Sequence, residues 1–334
     1  MRRLDGPTGI VMLNMASPAS PEAVGPFLRA VFADRDIMRL PAQRVTGPLL
    51  AALRAPKVRR VYESIGGGSP LLALTEAQGR GMVQRLDAIS PETAPHRHYV
   101  ALRYTDPSSD DALRRLRLDG ARRVVAFSQY PQYSSTTTGS SLKDLWRAAG
   151  RARLDPSRWS VIDRWPAHPA FVRAVAARVR EGLAGFPEAE RDAVTILFST
   201  HSVPLSVVRS GDPYVQEVAA TVRAVMDELG GSHPHVLSWQ SRVGPIAWQG
   251  PSTADVLREL GRRGCHGVLA VAVAFTTDGV ETLAEIDQEY AEVAERAGIA
   301  AFRRAPAPND HPLMIEALAR VVADHVRAGT EVLN

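Results

Sequence analysis

Cysteine occurs once in 334 residues, at Cys265. A single thiol excludes an intrachain disulfide, and it excludes an iron–sulfur cluster held by several thiolates of this chain. A reducing, cytoplasmic setting is the simplest inference. No stretch approaches the run of roughly 18 apolar residues that reads as a membrane span. Met1-Arg2-Arg3 leads into Leu4-Asp5-Gly6-Pro7, too short and polar an opening for a signal peptide. There is no block of Lys and Arg interleaved with aromatics. The formal charge of +4 is diluted over the whole length, and nucleic acid is not implied. No Gly-x-Gly-x-x-Gly opens a helix after the first strand, which sets aside a nucleotide-binding Rossmann protein.

What is present is enough apolar material for two cores: 45% hydrophobic and 23% charged residues, over a length that suits two domains of about 150 residues. Apolar runs predict strands at Gly9–Asn14, Tyr99–Arg103, Val124–Ser128, Val194–Phe198, His235–Trp239, Val268–Ala274 and Ile299–Phe302. Helical patterns lie between them. Such alternation implies an α/β fold with parallel sheets flanked by helices and right-handed crossovers. A Trp- and Pro-rich junction at Ser157–Pro169 marks the first boundary. The expected divisions are 1–163, 164–308 and a C-terminal helix in 309–334 that packs back on the body. Asp111–Leu116, Gly120 and Val124–Phe127 recur at identical spacing as Asp255–Leu260, Gly264 and Val268–Val271. Any helix–glycine–strand unit has this form. The alternative reading, of equal weight, is two similar Rossmann-like halves facing each other across a cleft.

The chain is organised around Gly267–Tyr290. A Val-rich run bounded by Gly267 reads as a strand buried on both faces. Phe275-Thr276-Thr277-Asp278-Gly279 breaks it, and a helix follows in which Thr277 or Asp278 can cap the first turn. Glu281, Glu285 and Glu289 then recur every four residues. Like charges at that spacing repel by roughly 0.2–0.5 kcal/mol per pair. The row either lies in water as a solvated acidic face or serves a cation. Its place after the C-terminal end of a buried strand, where open α/β sheets bind ligands, favours the cation.

Many motifs in order carry a resemblance that spans nearly the whole chain. They are Leu13-Asn14-Met15, Ile65-Gly66-Gly67-Gly68-Ser69-Pro70, Arg103-Tyr104, Tyr130-Pro131-Gln132-Tyr133-Ser134, Ser199-Thr200-His201-Ser202-Val203-Pro204, Trp239-Gln240-Ser241-Arg242 and Phe275-Thr276-Thr277-Asp278 with Glu281-Thr282-Leu283. Together the chain resembles the ferrochelatases, which insert ferrous iron into a porphyrin. The resemblance implies two chelatase-type halves with the porphyrin cleft between them. It is closer to the protoporphyrin enzymes, on Asp34–Pro41 and Ser128–Pro131.

Several roles follow from that resemblance alone. His201 is implied as proton acceptor or metal ligand, since a neutral imidazole suits either task near pH 7. Glu281 is its implied catalytic partner across the cleft. Glu285 and Glu289 extend the metal path, on a helix expected to carry a π-type widening. Met15, Trp248 and Phe275 match groups packed against the macrocycle, although plain core is the simpler reading of Phe275. Arg103 and Tyr104 match polar tips that orient it. Arg54, Lys57 and Ser69 match propionate contacts, as basic partners of carboxylates. Asn14, Tyr62 and Asp278 stand behind these residues. Gly279 departs from the family, which usually carries a histidine there.

No cofactor is expected. Fe2+ and protoporphyrin IX are the implied substrates. The animal enzymes bear a C-terminal cysteine-containing extension for a [2Fe–2S] cluster. This sequence stops at Asn334, and Ser135 replaces the remaining cluster cysteine, so no cluster is expected. Monomer and homodimer both stay open. The segment 36–62 holds Ile37, Met38, Leu40, Leu49, Leu50 and Leu53 between prolines, flanked by Arg35, Arg39, Arg44 and Arg54. It is expected to form an apolar lip with peripheral membrane contact. Competing functions are a coproporphyrin or sirohydrochlorin chelatase and a tetrapyrrole-binding protein without turnover.

Overall fold

The computed structural model describes residues 6–15, 17–35, 40–155, 159–231 and 233–331. The chain divides into two compact units, Met1–Trp165 with Ile315–Asn334, and Pro166–Met314. The first division falls close to the Trp- and Pro-rich junction. The last helix, Pro312–Glu331, runs into the first unit. Its buried face, Met314, Leu318, Val321 and Val322, recurs at helical spacing. Arg85 pairs with Glu316 at one end of that helix, and Arg327 donates to the Ile89 carbonyl at the other.

Each unit is built on one parallel sheet. In the first, β1 (Thr8–Met15), β2 (His96–Arg103), β3 (Arg123–Ser128) and β4 (Trp159–Ile162) lie in the order β2-β1-β3-β4. In the second, β5 (Thr195–His201), β6 (His235–Gln240), β7 (Gly267–Ala272) and β8 (Ala301–Arg304) lie in the order β6-β5-β7-β8. All six pairings are parallel. Helices cover the sheets, so the central strands are buried along their length. Ile10–Leu13, Ile196–Phe198 and Val268–Ala270 are essentially solvent-free, which is why they read as unbroken apolar runs.

The repeated sequence pattern has a structural counterpart. Ser108 caps the helix Ser109–Leu118 by accepting from the Asp111 amide, and Ser252 caps Thr253–Arg262 by accepting from the Asp255 amide. Each cap contributes about 1 kcal/mol. Gly120 and Gly264 then turn the chain at φ +66° and +74°, a left-handed conformation that glycine adopts without a Cβ clash. The strands that follow, β3 and β7, occupy matching places in their sheets.

One helix runs on through its prolines, and one expected cap does not form. The prolines at 48 and 56 do not interrupt a helix: Gln43–Ser64 is helical through both. Much of that helix faces solvent, so water can meet the carbonyls that lose their amide partners. The helix after β7 has no side-chain cap from Thr277 or Asp278. The Asp278 carboxylate instead accepts from the Thr282 hydroxyl at 2.8 Å.

Candidate active site

Within the second unit, the switch point of the sheet lies between β5 and β7, because the chain leaves β5 toward β6 on one side and returns to β7 on the other. Ligands of open α/β sheets bind at the C-terminal ends of the strands beside such a point. His201 is the final residue of β5, Gln240 ends β6, and the loop after β7 leads into Glu281. His201 and Glu281 therefore belong to one unit, His201 at the end of β5 and Glu281 at the start of the helix that follows β7.

His201 is partly exposed, and its Nδ1 lies 2.7 Å from the Ser202 carbonyl oxygen. A carbonyl only accepts, so Nδ1 carries the proton of the neutral ring and Nε2 keeps its lone pair. One hydrogen bond thus leaves His201 with a single free nitrogen able to take a proton or bind a metal.

Glu281–Tyr290 is a π-helix, followed directly by the α-helix Ala291–Arg296. The expected widening is present and covers all three glutamates. Glu285 is held from below by β6: Gln240 Nε2 donates to its Oε2 at 3.0 Å and Ser241 Oγ donates at 2.6 Å. Gln240 also donates to the Glu281 carbonyl at 3.0 Å. Ser241 has φ +63°, a strained conformation for a serine and one that concentrates at functional sites. The Glu285 carboxyl is pushed up to about 7, chiefly by burial, with the Glu281 and Glu289 charges adding to the rise and the Ser241 and Gln240 bonds opposing it. Near neutral pH it can hold or release a proton. Glu281 is half-buried and Glu289 is exposed, so the row runs from interior to solvent. It is not a preformed chelate: among the described residues no three His, Cys, Asp or Glu converge to hold a metal ion. A row of separated carboxylates can pass a cation along without trapping it.

Gly279 has a specific steric consequence. A Cβ at that position would lie 2.9 Å from Glu281 Oε2. Glycine thus lets the Glu281 carboxylate fold back over the loop, and any side chain there would displace it. Phe275 packs with Ala270, Ala272 and Ile286, in keeping with the core reading. Trp248 is partly buried, bridged to Pro204, and its Nε1 has no hydrogen-bond partner.

The first unit holds a polar group of its own. Arg103, at the end of β2, is buried. It pairs with Asp34 and with Asp144 at 2.8 Å, and its guanidinium sits 4.7 Å from the Tyr104 ring centroid. Tyr104 has φ +69° and donates to Asp34 at 2.7 Å. Burial and the Asp34 carboxylate raise its pKa, so the phenol stays protonated. Asp34 and Asp144 were not legible as partners, since both come from elements remote in sequence. Asn14 Oδ1 accepts from the Met15 amide at 2.9 Å, and Met15 is partly exposed at the end of β1. Tyr62 bonds Ser17 at 2.8 Å. Ser69 Oγ accepts from the Leu71 amide at 3.2 Å at the start of a helix, a structural duty beside its expected ligand contact. Arg54 and Lys57 are exposed on the helix Gln43–Ser64.

Two parallel four-stranded sheets, one carrying an imidazole and a carboxylate row on its strand-end connections, define a chelatase-type α/β protein. Solved structures share this fold. SirB from Bacillus subtilis, solved with Fe3+, superposes with a TM-score of 0.56 at 12% identity over 96% of this chain and 95% of that one. A multi-domain Deinococcus radiodurans protein with structural similarity to chelatases superposes with a TM-score of 0.52 at 15% identity, over 96% of this chain and 55% of that one. The Ferrochelatase family model matches residues 7–326. The mitochondrial ferrochelatases of Bos taurus and Homo sapiens are 48% and 46% identical to it over 323 residues, covering 96% of this chain and 78% and 76% of theirs. This chain belongs to the ferrochelatase family. It is an enzyme of heme synthesis that inserts iron into a porphyrin, a lyase-type reaction.

Proposed function

We propose that the chain inserts Fe2+ into protoporphyrin IX, with chemistry centred on His201 and Glu281. Metallation removes two pyrrole protons as the ferrous ion enters, so the site needs a proton acceptor and a route for a hydrated cation. His201 Nε2 supplies the lone pair that takes the two protons one after the other, and its partial exposure lets it hand each to solvent. Glu289, Glu285 and Glu281 supply a path from solvent inward, on which Glu285 exchanges a proton for the cation. The free Nε2, set by the Ser202 carbonyl, is the observation that carries this reading. Met15, Trp248 and Phe275 offer apolar surface to the macrocycle, Arg103 and Tyr104 orient it, and Arg54, Lys57 and Ser69 meet propionates. Anaerobic incubation with ferrous iron should shift the Soret band of protoporphyrin IX faster than that of coproporphyrin. Faster turnover of the tetracarboxylate ring, or a Soret shift with neither, would reject this substrate assignment.

The reading includes no iron–sulfur cluster. It rests on the single cysteine, Cys265, whose Sγ is already within 3.4 Å of Thr195 Oγ1 and the Gly267 carbonyl.

It also includes a cytoplasmic enzyme in peripheral contact with a membrane. No helix of the described residues is long and apolar enough to cross one. Val45, Leu49 and Leu53 are 71%, 60% and 70% exposed and follow one another every four residues along Gln43–Ser64. Leu50 is half-buried and does not belong to that stripe; Ile37, Met38 and Arg39 lie outside the described residues. Arg44, Arg54, Lys57, Arg59 and Arg60 border it, a pattern suited to anionic lipid. Wild type should float with anionic vesicles at low salt, and Leu49→Asp/Leu53→Asp should not. Equal flotation of the two would remove the stripe as a membrane contact.

A further inference from the structure

Arg304, the last residue of β8, takes no part in the chemistry above, yet it touches the segment that carries it at two points, just before the helix and within it. Its side chain is 11% exposed. Nη1 donates to Asp278 Oδ1 at 2.9 Å, while Nε and Nη2 fork onto the two oxygens of Asp287 at 2.7 and 2.9 Å. Asp278 is fixed further by Asn309, which donates Nδ2 to Oδ2 at 2.7 Å and accepts the Asp278 amide at 2.7 Å. Asp278 precedes the π-helix; Asp287 lies within it, between Glu285 and Glu289. The two aspartates are separated by the span of the loop end and the first π turns. Asp278 lies in the loop before the helix, where Asn309 fixes it, so only the direction of Asp287 depends on the phase of the helix. Widening to i→i+5 bonding changes that phase between Glu281 and Asp287. One guanidinium reaching both is thus a geometry that the widened form permits.

We propose that Arg304 is a positioning residue for metal insertion: by gripping Asp278 and Asp287 together it keeps Glu281–Tyr290 in the π form and so sets where Glu281 and Glu285 stand. The inference rests on the reading of those glutamates as the metal path. The grip also neutralises two carboxylates beside a row that already repels itself. Loss of the guanidinium would leave Asp278 and Asp287 to repel each other, and the helix would be free to narrow and turn its glutamates away. Lysine keeps the charge but lacks the fork, so it cannot serve three carboxylate oxygens at fixed angles.

The test compares Arg304→Lys, Arg304→Gln and Asp287→Asn with wild type, and runs Glu281→Gln beside them. Zinc serves as the probe metal, because nitrogen and carboxylate ligands do not exclude other divalent first-row ions; its insertion is followed at saturating porphyrin and at saturating zinc, each rate normalised to folded protein, with porphyrin affinity measured by fluorescence quenching. Groups that orient metal-handling side chains typically cost 10–100-fold when replaced. Arg304→Lys and Asp287→Asn should therefore raise the KM for zinc or lower kcat by about 10-fold or more, with porphyrin affinity unchanged. If both match wild type per folded molecule while Glu281→Gln is impaired, Arg304 has only a structural role and the proposal fails, although the metal path stands. If Glu281→Gln is itself indistinguishable from wild type, the metal path falls and the proposal with it. Should Arg304→Gln fail to fold, the lysine and asparagine variants still decide the question.

Discussion

His201→Ala is expected to lose metallation almost entirely while binding porphyrin as wild type does. The imidazole makes one hydrogen bond, to the carbonyl of the buried Ser202, so its removal deletes the free Nε2 and takes one donor from that carbonyl, a local stability cost of about 1–3 kcal/mol that rates normalised to folded protein set aside. Loss of a positioned general base typically costs about 10²–10⁴ in rate, and the loss should appear in kcat. Porphyrin affinity, measured by quenching of intrinsic fluorescence, should not move. A variant that keeps near wild-type turnover would take His201 out of the mechanism and leave Glu285, already poised near neutrality, as the proton acceptor.

Glu281→Gln is expected to be the most damaging substitution in the acidic row, and Glu289→Gln the mildest. Glu281 is half-buried at the loop end and Glu289 is exposed; water can replace an exposed carboxylate far better than an interior one. Equal losses would mark the row as a general acidic surface. The same substitution has a second readout in the metal-free protein. Glu285 titrates at about 7 against a usual 4.5. Between those values the folded protein holds a proton that the unfolded chain has released. That contribution to stability is full below 4.5 and is lost as pH rises through 7. Burial causes most of the shift, and the Glu281 charge adds to it. Glu281→Gln should therefore bring the Glu285 pKa down. Melting with a chelator present should show the variant more stable than wild type at about pH 8 and not at about pH 4. A variant less stable at the higher pH would contradict the like-charge coupling.

The sequence by itself determined seven of the eight strands, the parallel α/β class, the repeat of one half in the other and the family; β4, Trp159–Ile162, lay in the stretch read as a junction. Each rests on short-range regularities. Val268–Ala270 is apolar throughout because both faces of β7 are covered, and Ser108 and Ser252 mark helix starts because a hydroxyl caps the amide three residues on. The places of His201 at the end of a strand and of the three glutamates on the helix after β7 were also legible. Only the tertiary structure decided which groups act on them. Ser241 and Gln240 reach Glu285 from a different strand. Asp34 and Asp144 hold Arg103 from two remote segments. Arg304 joins Asp278 to Asp287 from the edge of the sheet. The exposed stripe proved to be Val45, Leu49 and Leu53, since helical phase through two prolines cannot be read from composition. Such partnerships depend on how strands are ordered in a sheet and which face of a helix turns inward. Local pattern does not encode them, because a hydrogen bond between residues far apart in sequence leaves no period behind.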